Sequence, residues 1–347
     1  MSHSGVIRDC RPGAKGFKRL TAGDFAIVDA PDLSRGLASR LIEARPAVVI
    51  NLSAFSTGTV PNYGPQMLLD AGILLAEAPA LEFKDGKKAT LNGATITIGK
   101  NPTDLGIINQ ARLDANFAEG QQSLIDHMEA FFGNTIQFVH SESPLLIDGL
   151  GIPETGMDIA GRKTLVVSPG ADIKPLRHFI REFNPIIIAC DEAADSLVRL
   201  GIKPQLIVGN PAVMSNEALK CGASVILPAD PDGHAVGLER IQDLGVGAMT
   251  FPAASNNATD LALLLAGYHD ASLIVNCGAT LELSDIFTGN KAATPSALIA
   301  RQKVASRLMS QESLLELYTG RRGNGWSWFW ALICLLICVG TICYYYL

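Results

Sequence analysis

The sequence predicts an α/β protein made of two unequal globular units and a single C-terminal transmembrane helix. A chain of 347 residues is longer than one hydrophobic core normally covers. Short aliphatic runs alternate with amphipathic stretches along most of it, which is the pattern of strands and helices in turn. The last 22 residues contain no charged side chain. Together, these observations predict two folded units followed by a membrane segment.

The predicted segments differ in composition and in hydrophobic period. They are a basic N-terminal arm (1–20), an N-terminal mixed α/β domain (21–110), a helical connector (111–160), a second α/β domain (161–320) and a transmembrane helix (326–347). The first domain opens with a predicted strand at 25–28, an amphipathic helix at 33–44 and a strand at 47–51. This is a compact βαβ pattern. The basic arm is expected either to be a solvated tail or to touch an anionic membrane surface.

The second domain repeats a rhythm of short aliphatic strand, turn and helix. Its predicted strands are 164–168, 186–190, 206–209, 224–228, 248–252 and 272–278. Because these runs are apolar on both faces, they predict a doubly wound sheet covered by helices on both sides. Ligands bind such sheets beyond the carboxyl ends of the strands. None of the turns there matches a Walker loop or a GxGxxG fingerprint.

Charge and cysteine usage exclude several function classes. The net charge of −6 argues against the basic surface that a nucleic-acid backbone requires, so no nucleic-acid partner is expected. The seven cysteines include no C-x-x-C pair and no histidines at zinc-ligand spacing, so no metal site is predicted. Cys190 and Cys277 end apolar runs and are expected to be small buried hydrophobic side chains.

The C-terminal segment 326–347 has the composition of a membrane span. As a helix, it would extend about 33 Å, enough to cross a bilayer. Three tryptophans lie near its start and three tyrosines at its end, as expected for aromatic rings at two membrane interfaces. Arg321 and Arg322 precede it and favour a cytoplasmic location for the globular part. A buried core helix is the alternative, but such helices rarely lack every charge.

Several stretches resemble one family. The segments "IIIACDEAADSLVRLGIKPQLIVGNPAVMSNEALK", "FPAASNNATDLALLLA" and "GATLE" resemble the thiamine pyrophosphokinase-like domain of SteA, the actinobacterial cytokinetic proteins. "VPNYGPQMLLDAGI" and the terminal apolar segment resemble the same family. The resemblance implies a single-pass protein of the plasma membrane, located at the division septum. It also implies action with a SteB-like membrane partner and the division machinery to regulate peptidoglycan hydrolysis during daughter-cell separation.

The same resemblance implies a set of ligand-binding residues. Asp191 matches the acid that follows the same strand in thiamine pyrophosphokinases, and Asp260 matches the acid of their Thr-Asp pair. The family turn Gly-Asp-x-Asp-Ser is replaced here by Gly-Asn-Pro-Ala-Val at residues 209–213. Both acids that hold Mg²⁺ are therefore missing, and no catalytic residue or metal ligand is predicted. The expected cofactor-binding residues are Asp191, Gly209, Asn210, Asp260, Gly278 and Thr280.

Alternatives remain open at each of these positions. Asp191 and Asp260 either retain a nucleotide such as ATP with Mg²⁺ or are simple helix caps. Gly278 and Thr280 form either an anion-binding turn or a plain turn. For the whole chain, a membrane-anchored, non-catalytic division scaffold is preferred over an active thiamine pyrophosphokinase because the metal-binding acids are absent. A homodimer is left open.

Overall fold

The computed structural model describes residues 2–318, which form two compact units. The first unit contains the chain up to Asn134 together with Glu282–Thr294. The second contains Thr135–Leu281 and the described residues from Pro295 onward. The segment Glu282–Thr294 therefore leaves the second unit's stretch of chain and packs within the first.

The first unit is built on an eight-stranded mixed sheet. Its strands in chain order are β1 (Ser2–Asp9), β2 (Phe25–Val28), β3 (Val48–Asn51), β4 (Leu74–Glu77), β5 (Lys88–Asn92), β6 (Thr95–Ile98), β7 (Asn101–Asp104) and β8 (Gly106–Ile108). Their order across the sheet is β7-β6-β5-β1-β2-β3-β4-β8. Strands β1 to β4 are parallel, while β5 to β8 pair antiparallel with their neighbours. Separate apolar clusters fill the two faces of this sheet.

Strand β1 lies within the stretch that the sequence presented as a solvated basic arm. Ile7 pairs with Phe25 in β2 and is fully buried, and Ser2 pairs with Asn92 in β5. The basic residues do not prevent this pairing, because Arg8 forms an ion pair with Asp24 at 2.9 Å. The prediction of a solvated arm, which rested on the basic composition of residues 1–20, therefore missed a strand near the middle of the sheet.

Twelve α-helices pack around the sheets in the described part of the chain. They are α1 (Arg35–Ala44), α2 (Gly64–Asp70), α3 (Gln110–Ser141), α4 (Ser143–Asp148), α5 (Arg177–Phe183), α6 (Ala193–Arg199), α7 (Asn216–Leu219), α8 (Leu238–Asp243), α9 (Ala258–Tyr268), α10 (Leu283–Phe287), α11 (Pro295–Lys303) and α12 (Gln311–Leu317). Helix α1 starts at the N-cap Ser34, whose hydroxyl accepts the backbone N–H of Leu37. It ends at Arg45 in the left-handed conformation.

The second unit is built on a seven-stranded sheet in which every pairing is parallel. Its strands are β9 (Lys163–Val167), β10 (Ile186–Cys190), β11 (Leu206–Val208), β12 (Ser224–Ala229), β13 (Ala248–Pro252), β14 (Leu273–Cys277) and β15 (Leu308–Ser310). The six strands expected from the sequence are present within one or two residues, and β15 was not expected. Apolar clusters cover both faces, as in other buried parallel sheets.

The strand order of the second sheet creates a switch point. Across the sheet the order is β13-β12-β11-β10-β9-β14-β15. The chain leaves β9 towards β10 and later returns to β14 on the opposite side of β9. In open α/β sheets, the crevice at such a reversal is the usual place for a ligand. A ligand site is therefore expected at the carboxyl ends of β9, β10 and β14.

The predicted transmembrane helix and the membrane localisation are not supported. Among residues 2–318, no helix combines the length and apolar character needed to cross a bilayer. The segment 326–347, on which that prediction rested, lies outside the described residues. The prediction of a single-pass membrane protein, with the septal location that depended on it, therefore has no support in the described residues.

Candidate functional site

The loops at the carboxyl edge of the second sheet carry excess negative charge. They comprise residues 168–173, 191–192, 209–210, 230–237, 253–257 and 278–281. Five acids lie in these loops, namely Asp172, Asp191, Glu192, Asp230 and Asp232, and none of the loops contains a lysine or an arginine. A polyphosphate would meet repulsion at this edge. A neutral or weakly charged ligand that donates hydrogen bonds suits it better.

Asp191 is held in place by its own backbone conformation and by the turn after the neighbouring strand. It directly follows β10 and has a left-handed backbone, with φ of 47°. The backbone N–H of Asn210 donates to Asp191 Oδ1 at 2.9 Å. Gly209 has φ of 145°, and any Cβ there would collide with the Asp191 carboxyl group. The carboxylate therefore needs both its own strained backbone and a glycine beside it.

One oxygen of Asp191 remains available to a ligand. Oδ1 is held by Asn210, whereas no donor among the described residues hydrogen-bonds to Oδ2. The residue is partly exposed. Burial raises the pKa of Asp191, while the Asn210 N–H opposes this by stabilising the carboxylate. Asp191 is thus an oriented acceptor at the end of the second strand of the βαβ unit β9-α5-β10.

A second close approach involving a glycine lies at the switch point between β9 and β14. Gly278 follows β14 with φ of 155°, and a Cβ there would lie 2.6 Å from the Ser168 Cβ. Ser168 follows β9, and its hydroxyl lies 2.8 Å from the hydroxyl of Thr259 in the first turn of α9. The side-chain amide of Asn276 donates to the Ala279 carbonyl oxygen at 3.2 Å and fixes the turn after β14. Small polar groups of Ser168, Thr259 and Asn276 therefore lie at the switch point between β9 and β14.

Asp260 lies away from this surface, in the interior between α9 and α11. Its carboxyl group accepts hydrogen bonds from the Ser296 hydroxyl at 2.9 Å and from Arg301 Nη1 at 3.0 Å. The residue is fully buried. Burial raises the pKa of Asp260, and the two donors partly offset that by stabilising the charged form. The geometry gives Asp260 a structural role in joining two helices.

The predicted site residues are brought together only in part. Asp191, Gly209 and Asn210 are in direct contact, and Gly278 contacts Ser168 instead. The Asn210 side chain accepts the Ala212 N–H at 2.9 Å and caps the short helical turn that follows. Thr280 is exposed in the turn after β14. Ligand binding by these residues remains a prediction.

Sequence reasoning missed Ser168 and Thr259 as individual residues. Both lie in strand-end or helix-start segments that the sequence marks as places to search, but no motif singles out either side chain. Arg301 and Ser296 gave no signal either, because their partner Asp260 is distant in the sequence. Pairings of this kind depend on which helices the sheet brings together.

Comparisons with known proteins identify no family for this chain. No protein-family model matches it, and neither does any curated protein. Solved structures do match, at low similarity. A 3-isopropylmalate dehydratase from Methanocaldococcus jannaschii is 12% identical, with 37% of this chain and 99% of that chain covered and a TM-score of 0.24.

Two 2-hydroxyacid dehydrogenases cover more of the chain. The D-lactate dehydrogenase of Treponema pallidum is 9% identical, covering 88% of this chain and 80% of that one, with a TM-score of 0.17. The NAD-complexed D-isomer-specific 2-hydroxyacid dehydrogenase of Lactobacillus delbrueckii is 10% identical, covering 84% of each, with a TM-score of 0.15. Scores this low carry no argument about ligand or activity.

These findings correct the identification made from the sequence. No family model and no curated protein supports the resemblance to SteA and to thiamine pyrophosphokinases, so that identification is corrected and no family is assigned to this chain. The assignments to cell division and to thiamine phosphorylation fall with it. So does the expectation of ATP with Mg²⁺, which the five acids at the sheet edge also disfavour.

Proposed function

We propose that the second unit binds a ribose-bearing ligand without a polyphosphate, a nucleoside, with Asp191 accepting the ribose hydroxyls. The observation that carries this proposal is the free Oδ2 of Asp191 at the end of β10, beside the switch point. In doubly wound sheets, an acid at the end of the second strand, about 20 residues after the first turn, accepts ribose hydroxyls. Asp191 stands in that relation to Gly170 in the turn after β9.

The charge of the sheet edge limits how many phosphates the ligand carries. The turn after β9 reads Ser-Pro-Gly-Ala-Asp and lacks the glycine pattern that cradles a pyrophosphate. The Ala171 N–H donates to the Ser168 carbonyl oxygen at 3.2 Å, and the Lys174 N–H to Asp172 Oδ1 at 3.1 Å. These amides are already used within the turn. Ribose recognition is therefore better supported than recognition of a polyphosphate.

Calorimetric titration of the full-length protein tests the proposal. Adenosine is compared with 2′,3′-dideoxyadenosine, and NAD⁺ and NADH are titrated alongside ATP. We expect adenosine to bind and the dideoxy compound to bind at least about tenfold more weakly, since it offers Asp191 no hydroxyl, and we expect NAD⁺ and NADH to bind more weakly than adenosine because of their pyrophosphate. ATP is expected to be the weakest ribose-bearing ligand. The proposal fails if no ribose-bearing compound binds, or if the dideoxy compound binds equally well.

Asp191→Asn separates the specific role of this carboxylate from general electrostatics. Asparagine keeps the shape and tolerates the left-handed backbone, but loses the charge of the acceptor. We expect the affinity for the ribose-bearing ligand to fall about tenfold or more, because hydrogen bonds to charged groups are the stronger ones. Glu192→Gln is the matched control, since it removes the same charge from the next residue. Equal losses in both variants would contradict recognition by Asp191.

A further inference from the structure

A separate cavity lies in the first unit, beyond the carboxyl ends of β3 and β4. Its volume is about 410 Å³, within the usual range for small-molecule pockets of a few hundred Å³. Much of its wall is apolar, formed by Ala54, Ala78, Pro79, Ala80 and Leu81. Five polar side chains also line it, namely Ser53, Glu77, Thr103, Asp104 and Arg112. The cavity therefore combines an apolar wall with side chains of both charges.

Arg112 supplies hydrogen-bond donors to this cavity. Its Nη2 donates to Glu77 Oε2 at 3.0 Å, and the side chain is about half exposed. Glu77 is fully engaged, because its Oε1 accepts the Phe55 N–H at 2.7 Å. Glu77 therefore orients the guanidinium and offsets one unit of charge. No acceptor among the described residues hydrogen-bonds to Arg112 Nε or Nη1, which leaves those donors for an anionic group such as a carboxylate.

Acceptors line the same cavity from other elements. Asp104, at the end of β7, accepts the Thr95 hydroxyl on Oδ1 at 2.7 Å. Within the described residues, no donor reaches its Oδ2. The Ser53 hydroxyl donates to Asp29 Oδ1 at 2.5 Å, so its oxygen is left to accept. A ligand with an ammonium group would satisfy these acceptors.

We propose that this cavity binds a small zwitterion, a free amino acid with an aliphatic side chain. Arg112 would hold the carboxylate, Asp104 and the Ser53 hydroxyl oxygen would hold the ammonium, and the side chain would cover the apolar wall. A simple carboxylate would leave Asp104 uncompensated and repelling it. A simple amine would leave the Arg112 donors unused. A ligand that carries both charges pairs with the free donors of Arg112 and with the free acceptors of Asp104 and Ser53.

Three compounds of the same shape test this assignment by calorimetry on the full-length protein. L-leucine carries both groups, 4-methylpentanoate lacks the amine, and 3-methylbutylamine lacks the carboxylate. We expect leucine to bind at least about tenfold more tightly than either analogue, since each analogue loses a charge-assisted contact. The proposal is overturned if leucine shows no binding at millimolar concentration, or if either analogue binds as tightly.

Substitutions of residues that line the cavity test whether leucine binds there. Arg112→Lys keeps the charge next to Glu77 but loses the fork of the guanidinium, and we expect leucine affinity to fall about tenfold. Asp104→Asn should weaken leucine by a similar factor and leave 4-methylpentanoate unchanged or improved. Asp114→Asn removes a charge from the same helix as Arg112, outside the cavity lining, and serves as the control. Wild-type affinity in both cavity variants would show that leucine binds elsewhere and would refute the assignment.

Discussion

The carboxyl group of Asp191 occupies the space that a side chain at residue 209 would need. Gly209 follows β11 and Asp191 follows the neighbouring strand β10, so the two meet where adjacent parallel strands end. The Asn210 N–H then holds the carboxylate in place at 2.9 Å. The orientation of the candidate ligand acceptor therefore depends on a glycine in the next strand turn.

Gly209→Ala tests this dependence through stability. The new Cβ would displace the Asp191 carboxyl group and break its hydrogen bond to Asn210, in a backbone conformation that side chains rarely adopt. We expect the free energy of unfolding, measured by urea denaturation, to fall by about 2 kcal/mol or more. Gly222→Ala is the control, since Gly222 also has a positive φ but has no atom within 4 Å of a Cβ. Its cost should be smaller by about 1 kcal/mol. Equal costs would mean that the contact with Asp191 contributes nothing.

The ion pair between Asp260 and Arg301 is expected to stabilise the second unit because it is buried. The Asp260 side chain is 1% exposed and that of Arg301 is 18% exposed. Asp260→Asn would leave the guanidinium without its carboxylate, and we expect a loss of about 3 kcal/mol in unfolding free energy. Asp270→Asn breaks a pair of the same length with Arg307, but Asp270 is 72% exposed. That variant should cost less than about 1 kcal/mol. Similar losses in the two variants would refute a special role for burial.

The pH dependence of stability should reveal the partly buried carboxyl group of Asp191. Burial raises the pKa of Asp191, so the native state holds its proton at pH values where the unfolded chain has released it. Stability therefore falls as pH rises from the unfolded pKa of about 3.9 through the raised native value, and the penalty persists above it. Asp191→Asn cannot ionise. The stability of the variant minus that of the wild type should increase with pH across this window in urea titrations, and a decrease would contradict the raised pKa.

Cysteine reactivity should follow burial among the four cysteines that the structure describes. Cys10, Cys190 and Cys277 are buried, as the sequence predicted for the last two, whereas Cys221 is partly exposed. Burial raises the pKa of the Cys10 and Cys277 thiols to about 12, so very little reactive thiolate is present near neutral pH. Maleimide labelling mapped by peptide mass spectrometry should modify Cys221 first. The other three should react only after denaturant is added, and early labelling of Cys190 would show that its strand end opens.

Local sequence pattern was a good guide to the elements of the second unit. Runs such as 186–190 are apolar at every position, and only a strand covered on both faces accommodates that pattern in so short a segment. The local hydrophobic pattern was a poorer guide where a strand has no clear period and is defined by its pairing with other strands. Strand β1 has mixed burial and lies in a stretch rich in basic residues, and it became visible only through its pairing with β2 and β5.

The candidate site was predicted less completely than the elements around it. Asp191 and Asp260 look alike in sequence, since each is an acid beside a strand end or a helix start. The structure leaves Asp191 with a free oxygen at the sheet edge and places Asp260 in an interior ion pair. A residue's solvation and partners depend on distant segments, and for Asp260 these are α11 residues 36 and 41 positions away.

The sequence by itself determined the alternation of strands and helices, the negative net charge and the places where turns follow strands. These features follow from composition and from the spacing of apolar residues that are close together in the sequence. Only the tertiary structure decided the order of the strands, the switch point at β9 and β14, and which acids remain open to a ligand. The physical reason is that strand order and side-chain burial arise from contacts between segments that are far apart in the chain.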